Sequence, residues 1–198
     1  MDAVSHLYLT HPQVRIEPHI PVPSWGLSDA GRARTTTLGS SVWIRRFRRV
    51  ISSEEVKARE AAEILAQRLQ IPVEVRPDLH ENDRSSTGYL PGPEFEATAD
   101  AFFASPDVSI RGWETARAAQ ARILRSVRAI IAEDPCVPTL FVGHGAVGTL
   151  LKCALAGRAI SRQEDQPAGG GHHFSFSLGP DALGLGHDWL PLEESAPG

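Results

Sequence analysis

The 198-residue chain carries only two cysteines, Cys136 and Cys153, one in a proline-rich turn and one on an expected helix. Neither belongs to a metal-type pair, so reduced thiols are expected and a disulfide scaffold is excluded. No apolar run approaches the roughly 18 residues of a membrane span. The formal net charge of −4 argues against nucleic acid or an anionic membrane surface as partner. The first strand is expected within five residues of the start, which leaves no room for a signal peptide, so the expected location is cytoplasmic. What is present is ordinary: 41% hydrophobic and 22% charged residues, enough for a folded core without staples.

Strand and helix patterns alternate along the chain. Residues 5–10 read as a buried strand, followed by a long loop with prolines at 12, 18, 21 and 23. A helix is expected over 28–39, capped by Ser28 or Asp29 and stopped at Gly39. Arg48 to Ile51 is a short strand. The clearest helix covers 54–69, with Ser52 and Glu55 spaced as a capping box and Ala58, Ala61, Ala62, Leu65 and Leu69 in one stripe. Pro72 to Val75 is a third strand, and 76–93 a second long loop. Helices follow at 94–104 and 113–133, a strand at 138–143 and a helix near 146–156. Phe174 to Leu178 alternates as a strand, Asp188 to Leu190 forms a short edge, and residues 191–198 are expected to fray. The alternation implies a layered α/β sandwich with a mostly parallel central sheet.

The chemistry concentrates at strand ends. His11 closes Leu7-Tyr8-Leu9-Thr10, and His144 closes Leu140-Phe141-Val142-Gly143. Ligands of open α/β sheets bind beyond the carboxyl ends of the strands. Two imidazoles there point to covalent phosphoryl chemistry, with His11 as nucleophile and His144 steadying charge on the transferred group. The helix after Ser53 offers an anion-binding N-terminus with Lys57 one turn inside, and the helix after His144 offers a second. Glu81, in Leu79-His80-Glu81-Asn82-Asp83-Arg84, is the best donor of a proton to the leaving oxygen. Other readings are weaker. Trp43 to Arg49 mixes basic and aromatic residues but reads as a solvated helix end, not a nucleic-acid patch. His172-His173 and His187-Asp188 match no metal spacing. Gly169-Gly170-Gly171 is a flexible turn. Trp25 and Trp113 suit either a substrate entrance or packing.

These pieces resemble the histidine phosphatase superfamily, the phosphoglycerate-mutase-like fold. Its Arg-His-Gly is matched by Thr10-His11-Pro12, followed by Gln13. Its Leu-Ser/Thr-x-x-Gly-Arg is matched by Leu27-Ser28-Asp29-Ala30-Gly31-Arg32, and its Ser-Ser-Pro-Leu-x-Arg-Ala by Ser52-Ser53-Glu54-Glu55-Val56-Lys57-Ala58. Leu79-His80-Glu81 stands for the acid loop, Gly112-Trp113-Glu114-Thr115 loosely for Gly-Glu-Ser, and His144-Gly145-Ala146 for His-Gly-Gly. The resemblance spans nearly the whole chain and implies one domain over 1–198. It implies His11, His144 and Glu81 as catalytic residues, with Lys57, Arg84, Gln13, Thr10 and Gly145 around the phosphate, and no cofactor or metal. Two family arginines are replaced, by Thr10 and Lys57, and lysine does not substitute for arginine at a bidentate site. Arg15, Arg59 and Arg84 are candidates to supply the missing charge; Arg84 is preferred because it shares a loop with Glu81. The implied activity is metal-independent hydrolysis of a small phosphorylated molecule through a phosphohistidine. The alternative is a weak or inactive relative that binds a phosphorylated ligand, inorganic phosphate or a protein, and a mutase ranks third. Substrate identity and oligomeric state are not legible.

Overall fold

The computed structural model describes residues 4–178 and 183–196. Six strands form one sheet: β1 (Ser5–Thr10), β2 (Arg49–Ser52), β3 (Val73–Val75), β4 (Thr139–Gly143), β5 (His172–Leu178) and β6 (Leu183–Pro191). Their order is β3-β2-β4-β1-β5-β6. The first four run parallel, and β5 and β6 are antiparallel additions at one edge. The helices are α1 (Asp29–Gly39), α2 (Val56–Leu69), α3 (Gly92–Ala104), α4 (Ala116–Glu133) and α5 (Gly145–Leu155).

Strand alternation sends successive side chains to opposite faces and so divides the core in two. Leu7, Leu9, Val50, Leu140 and Val142 face α1 and α2, where Leu38, Ala61, Ala62 and Leu65 meet them. Tyr8, Ile51, Phe141, Phe174 and Phe176 face the other side, against α4 and α5 through Ile123, Val127, Val147 and Leu150. The strands are covered on both faces, which is why they read as continuous apolar runs. The expected α/β sandwich with a mostly parallel sheet is therefore the observed fold. Among the described residues no helix is long and apolar enough to cross a membrane.

Four expectations change in detail. The proposed capping box is not formed: α2 starts at Val56 with Glu55 itself as N-cap, and the Glu55 side chain makes no cap bond. Ser52 Oγ instead donates to the carbonyl of Ser53. The tail is packed through Ala196, since Leu192 and Ala196 are buried in the core and Glu193 ion-pairs with Arg34; residues 197–198 lie outside the described residues. The Asp188–Leu190 edge is part of a longer strand, because β6 pairs along β5 from His172 onward. The basic-aromatic stretch is a short 3-10 turn over Trp43–Arg46 that packs inward. Ile44 and Phe47 are buried, and the Arg46 guanidinium stacks over Trp43 and Phe47.

Tyr8 ties the sheet to the second histidine. Its hydroxyl accepts the backbone N–H of His144 at 3.0 Å and donates to the His144 carbonyl at 3.2 Å. Glycine is required around the ring: a Cβ at Gly143 would lie 2.3 Å from the Tyr8 hydroxyl, and one at Gly148 2.5 Å from the ring. Tyr8→Phe strands the buried His144 N–H, while the His144 carbonyl keeps the Gly148 N–H at 3.1 Å, and is expected to cost about 1–3 kcal/mol. Urea unfolding checks this, and wild-type stability of the variant would contradict the role assigned to the hydroxyl.

Candidate active site

The register of β1 against β4 brings the two histidines together. Thr10 pairs with Gly143, and the backbone N–H of His11 donates to the Gly143 carbonyl at 2.9 Å. His11 and His144 follow at once, with ring centroids 5.3 Å apart in an edge-on arrangement. On the other side of β4, β2 places Ser53 so that its Oγ lies 2.7 Å from His144 Nε2.

His11 Nδ1 lies 2.9 Å from the Pro12 carbonyl. A carbonyl only accepts, so Nδ1 carries the proton and Nε2 keeps its lone pair. Burial, and then the Lys57 ammonium, lower the His11 pKa to about 4, so the ring is neutral near pH 7. The loop over 169–171 supports this strand end. Gly171 N–H donates to the His11 carbonyl at 3.1 Å, and Gly170, at φ +65°, approaches the same oxygen so closely that a Cβ would sit 2.5 Å from it. The glycine run is thus a close-fitting support where a flexible turn was expected.

A cavity of about 640 Å³ opens beside His11. Its wall contains His11, Gln13, Lys57, Glu81, Arg84 and Gly145, six of the eight residues singled out in the sequence. It also contains the aromatic residues Trp25, Phe95, Phe102, Phe103 and Trp113 and the amides Asn82 and Gln166. Both tryptophans are nearly buried, so they pack and line at once. Arg84 stacks over Phe95 at 5.0 Å. Arg15 and Arg59 are in exposed pairs with Glu17 and Glu63, which leaves Arg84 as the candidate cation that reaches the cavity.

Two expected residues are placed differently. Thr10 is fully buried and does not line the cavity: its hydroxyl donates to Gln166 Oε1 at 2.6 Å and accepts the His172 N–H at 3.0 Å. Thr10 therefore holds Gln166, which is in the wall, and offers no charge. His144 is fully buried behind His11. Its Nε2 meets Ser53 and lies 3.5 Å from Glu55 Oε1, while Nδ1 has no hydrogen-bond partner. Burial lowers the His144 pKa against the opposing pull of Glu55.

Glu81 is held by backbone. Its carboxylate accepts from Ala146 N–H at 3.2 Å and Val147 N–H at 3.0 Å, so it occupies the N-terminus of α5, where the sequence predicts an anion site. Burial raises its pKa above the ordinary carboxylate value. Arg122 fixes the surrounding loop, donating to the carbonyls of Asp78 and His80 and pairing with Glu114 at 2.8 Å. Glu114 in turn accepts the Asp83 N–H at 3.2 Å, which gives the loose Gly-Glu-Ser counterpart a structural task.

The residue missed in the sequence is Glu55. It is buried and ion-paired to Lys57, and its Oε1 accepts the Glu81 N–H at 2.8 Å. Lys57 also donates to the Val22 carbonyl at 3.1 Å. Burial opposes ionisation of Glu55, but His144 and Lys57 outweigh it and hold the carboxyl well below its ordinary range. The signal was present: Glu55 stands where the family pattern has an apolar leucine, two residues before the phosphate cation. Among the described residues no cluster of three histidine, cysteine, aspartate or glutamate side chains could hold a metal.

A model of the histidine phosphatase superfamily (branch 1) matches residues 13–172, and the chain belongs to that family. The matched span starts just after His11. Solved structures share the fold at low identity. The mycobacterial glucosyl-3-phosphoglycerate phosphatase with inorganic phosphate has a TM-score of 0.80 at 19% identity, over 98% of this chain and 100% of that one. YhfR of Bacillus stearothermophilus has a TM-score of 0.78 at 19% identity, over 92% and 95%. A putative alpha-ribazole-5'-P phosphatase of Escherichia coli has a TM-score of 0.73 at 18% identity, over the full length of both chains. No curated protein sequence matches the chain.

The buried imidazoles make stability depend on pH. His6, His11 and His173 have pKa values near 4 against an ordinary 6.5, lowered first by burial. The unfolded chain takes up protons between these values and the folded chain does not, so stability falls as pH drops from about 6.5 towards 4. Each group is expected to remove about 1–2 kcal/mol by pH 5. Thermal melts at pH 7.5 and pH 5 test this; an unchanged melting temperature would contradict the buried neutral rings.

Proposed function

We propose that the protein is a phosphatase that hydrolyses a small phosphomonoester through a phosphohistidine on His11. The observation that carries the reading is the His11 ring, locked by the Pro12 carbonyl with its Nε2 lone pair free, beside His144 at a substrate-sized cavity. Nε2 attacks phosphorus as the bond to the leaving oxygen breaks, and the Glu81 carboxyl gives that oxygen its proton. Glu81, now a carboxylate, takes a proton from water as the water attacks the phosphohistidine and the nitrogen–phosphorus bond breaks. Inorganic phosphate leaves and both groups return to their starting states. The transferring group is metaphosphate-like and needs chiefly positioning and charge. Lys57 and Arg84 supply the charge. His144 joins by exchanging its Ser53 contact for a non-bridging oxygen, and the Gly145 backbone and Gln13 complete the cradle. No metal or cofactor takes part, and a cytoplasmic location fits this reading.

One observation favours a second reading, in which the protein binds a phosphorylated ligand with little turnover. Lys57 is paired with Glu55, and Thr10 brings no charge where the family has arginine.

Phosphate release from an aryl and an alkyl phosphate, in EDTA, separates the two. Turnover is expected in the wild type and is expected to be lost in His11→Ala. Glu81→Gln is expected to slow the alkyl ester by about 10²–10⁴-fold and the aryl ester much less, because a good leaving group needs little protonation. A well-folded wild type that binds phosphate without turning over either ester supports the binding reading.

A further inference from the structure

Each cation in the cavity wall has to be set against the carboxylates around it. Arg162 pairs with Glu96 at 2.5 Å and lies 3.6 Å from Asp165, so that part of the wall is balanced. At the His11 end the cations are Lys57 and Arg84. Glu55 lies directly behind Lys57 and is ion-paired to it. The groups facing Glu55 are Lys57 from its own helix, His144 from the end of β4 and the Glu81 backbone from the acid loop, with the Glu81 carboxyl nearby. The Val22 carbonyl takes a second Lys57 proton and keeps the ammonium in place. On the phosphatase reading Glu81 enters as the protonated acid, and with Lys57 ion-paired to Glu55 the charge left at the end of the cavity that receives phosphate is the single one of Arg84.

A phosphate monoester dianion brings two negative charges into that partly enclosed space. Uncompensated charge is costly away from water. A monoanion matches the site. We propose that Glu55 sets the charge state of the phosphoryl group this site accepts, which enters as a monoanion or as a dianion accompanied by one proton. In the second case the proton resides on a phosphoryl oxygen or on His144, which Glu55 faces at 3.5 Å. Glu55 is then a specificity-determining residue, and affinity for phosphate falls as pH rises above the second pKa of the phosphoryl group, near 6 for a phosphomonoester. The proposal rests on the phosphatase reading above.

Titration calorimetry of inorganic phosphate into the full chain, at pH 8 in two buffers of different ionisation enthalpy, counts the protons taken up on binding. About one proton per phosphate is expected in the wild type, with affinity weakening about tenfold from pH 7.5 to 8.5. Glu55→Gln keeps an acceptor for the Glu81 N–H but removes the charge. Its count is expected to fall towards zero, and phosphate to bind about tenfold tighter at pH 8.5. Glu81→Gln is expected to keep the wild-type count. A wild-type count near zero overturns the proposal, and so does a count that survives in Glu55→Gln but is lost in Glu81→Gln. The wild-type count stands whether or not the Glu55 variant folds. Phosphate bound without proton uptake removes this inference alone; a wild type that turns over neither the aryl nor the alkyl phosphate removes the phosphatase reading with it.

Discussion

The hydrogen bond from the His11 backbone to the Gly143 carbonyl is the last rung of the β1–β4 ladder, and the site is built on it. A parallel pair places the carboxyl ends of both strands at one edge of the sheet. The register sets His11 beside His144, and β2, paired to the other side of β4, adds Ser53. A slip of one residue would exchange the two buried faces of each strand, so the packing of Leu7, Leu9, Leu140 and Val142 on one face and of Tyr8 and Phe141 on the other holds the histidines in register. Tyr8 extends the same constraint to the far face by gripping the backbone of His144. The position of the chemistry is thus a consequence of core packing.

Around this frame the charges are more balanced than the family pattern implies. Glu55 answers Lys57, Glu96 answers Arg162, and Glu81 rests on the N-terminus of α5 with its pKa raised by burial. The helix end that looked like an open anion site is occupied by the residue placed to act as the acid. On the proposed reading the site works with one effective positive charge, and the buried Lys57–Glu55 pair is a point at which this chain differs from the family pattern.

Much of the frame was legible in the sequence because it rests on short-range rules. Ser28 caps α1 as read, accepting the Gly31 N–H at 3.2 Å, and the buried strands announce themselves as apolar runs ending at histidines. Glu81 and Arg84 were legible as a loop pair, and both line the cavity. The failures involve side chains whose choice among partners is made in three dimensions. Ser52 and Glu55 have capping-box spacing, but Glu55 finds Lys57 and the Glu81 backbone, a stronger set of contacts than a cap. Thr10 has the place of a phosphate ligand, yet its hydroxyl is committed to Gln166, 156 residues away in sequence. The tail looked free because its sequence is short and polar, and it is held by Leu192 and Ala196 in a core formed far upstream.

The most direct test is to quench the wild-type protein in alkali during turnover of a phosphomonoester and map the modified peptide by mass spectrometry. The account predicts one phosphoryl group on His11, stable in alkali and lost in acid, and absent from His11→Ala. Sustained turnover that leaves His11 unmodified, or that persists in His11→Ala, would contradict it.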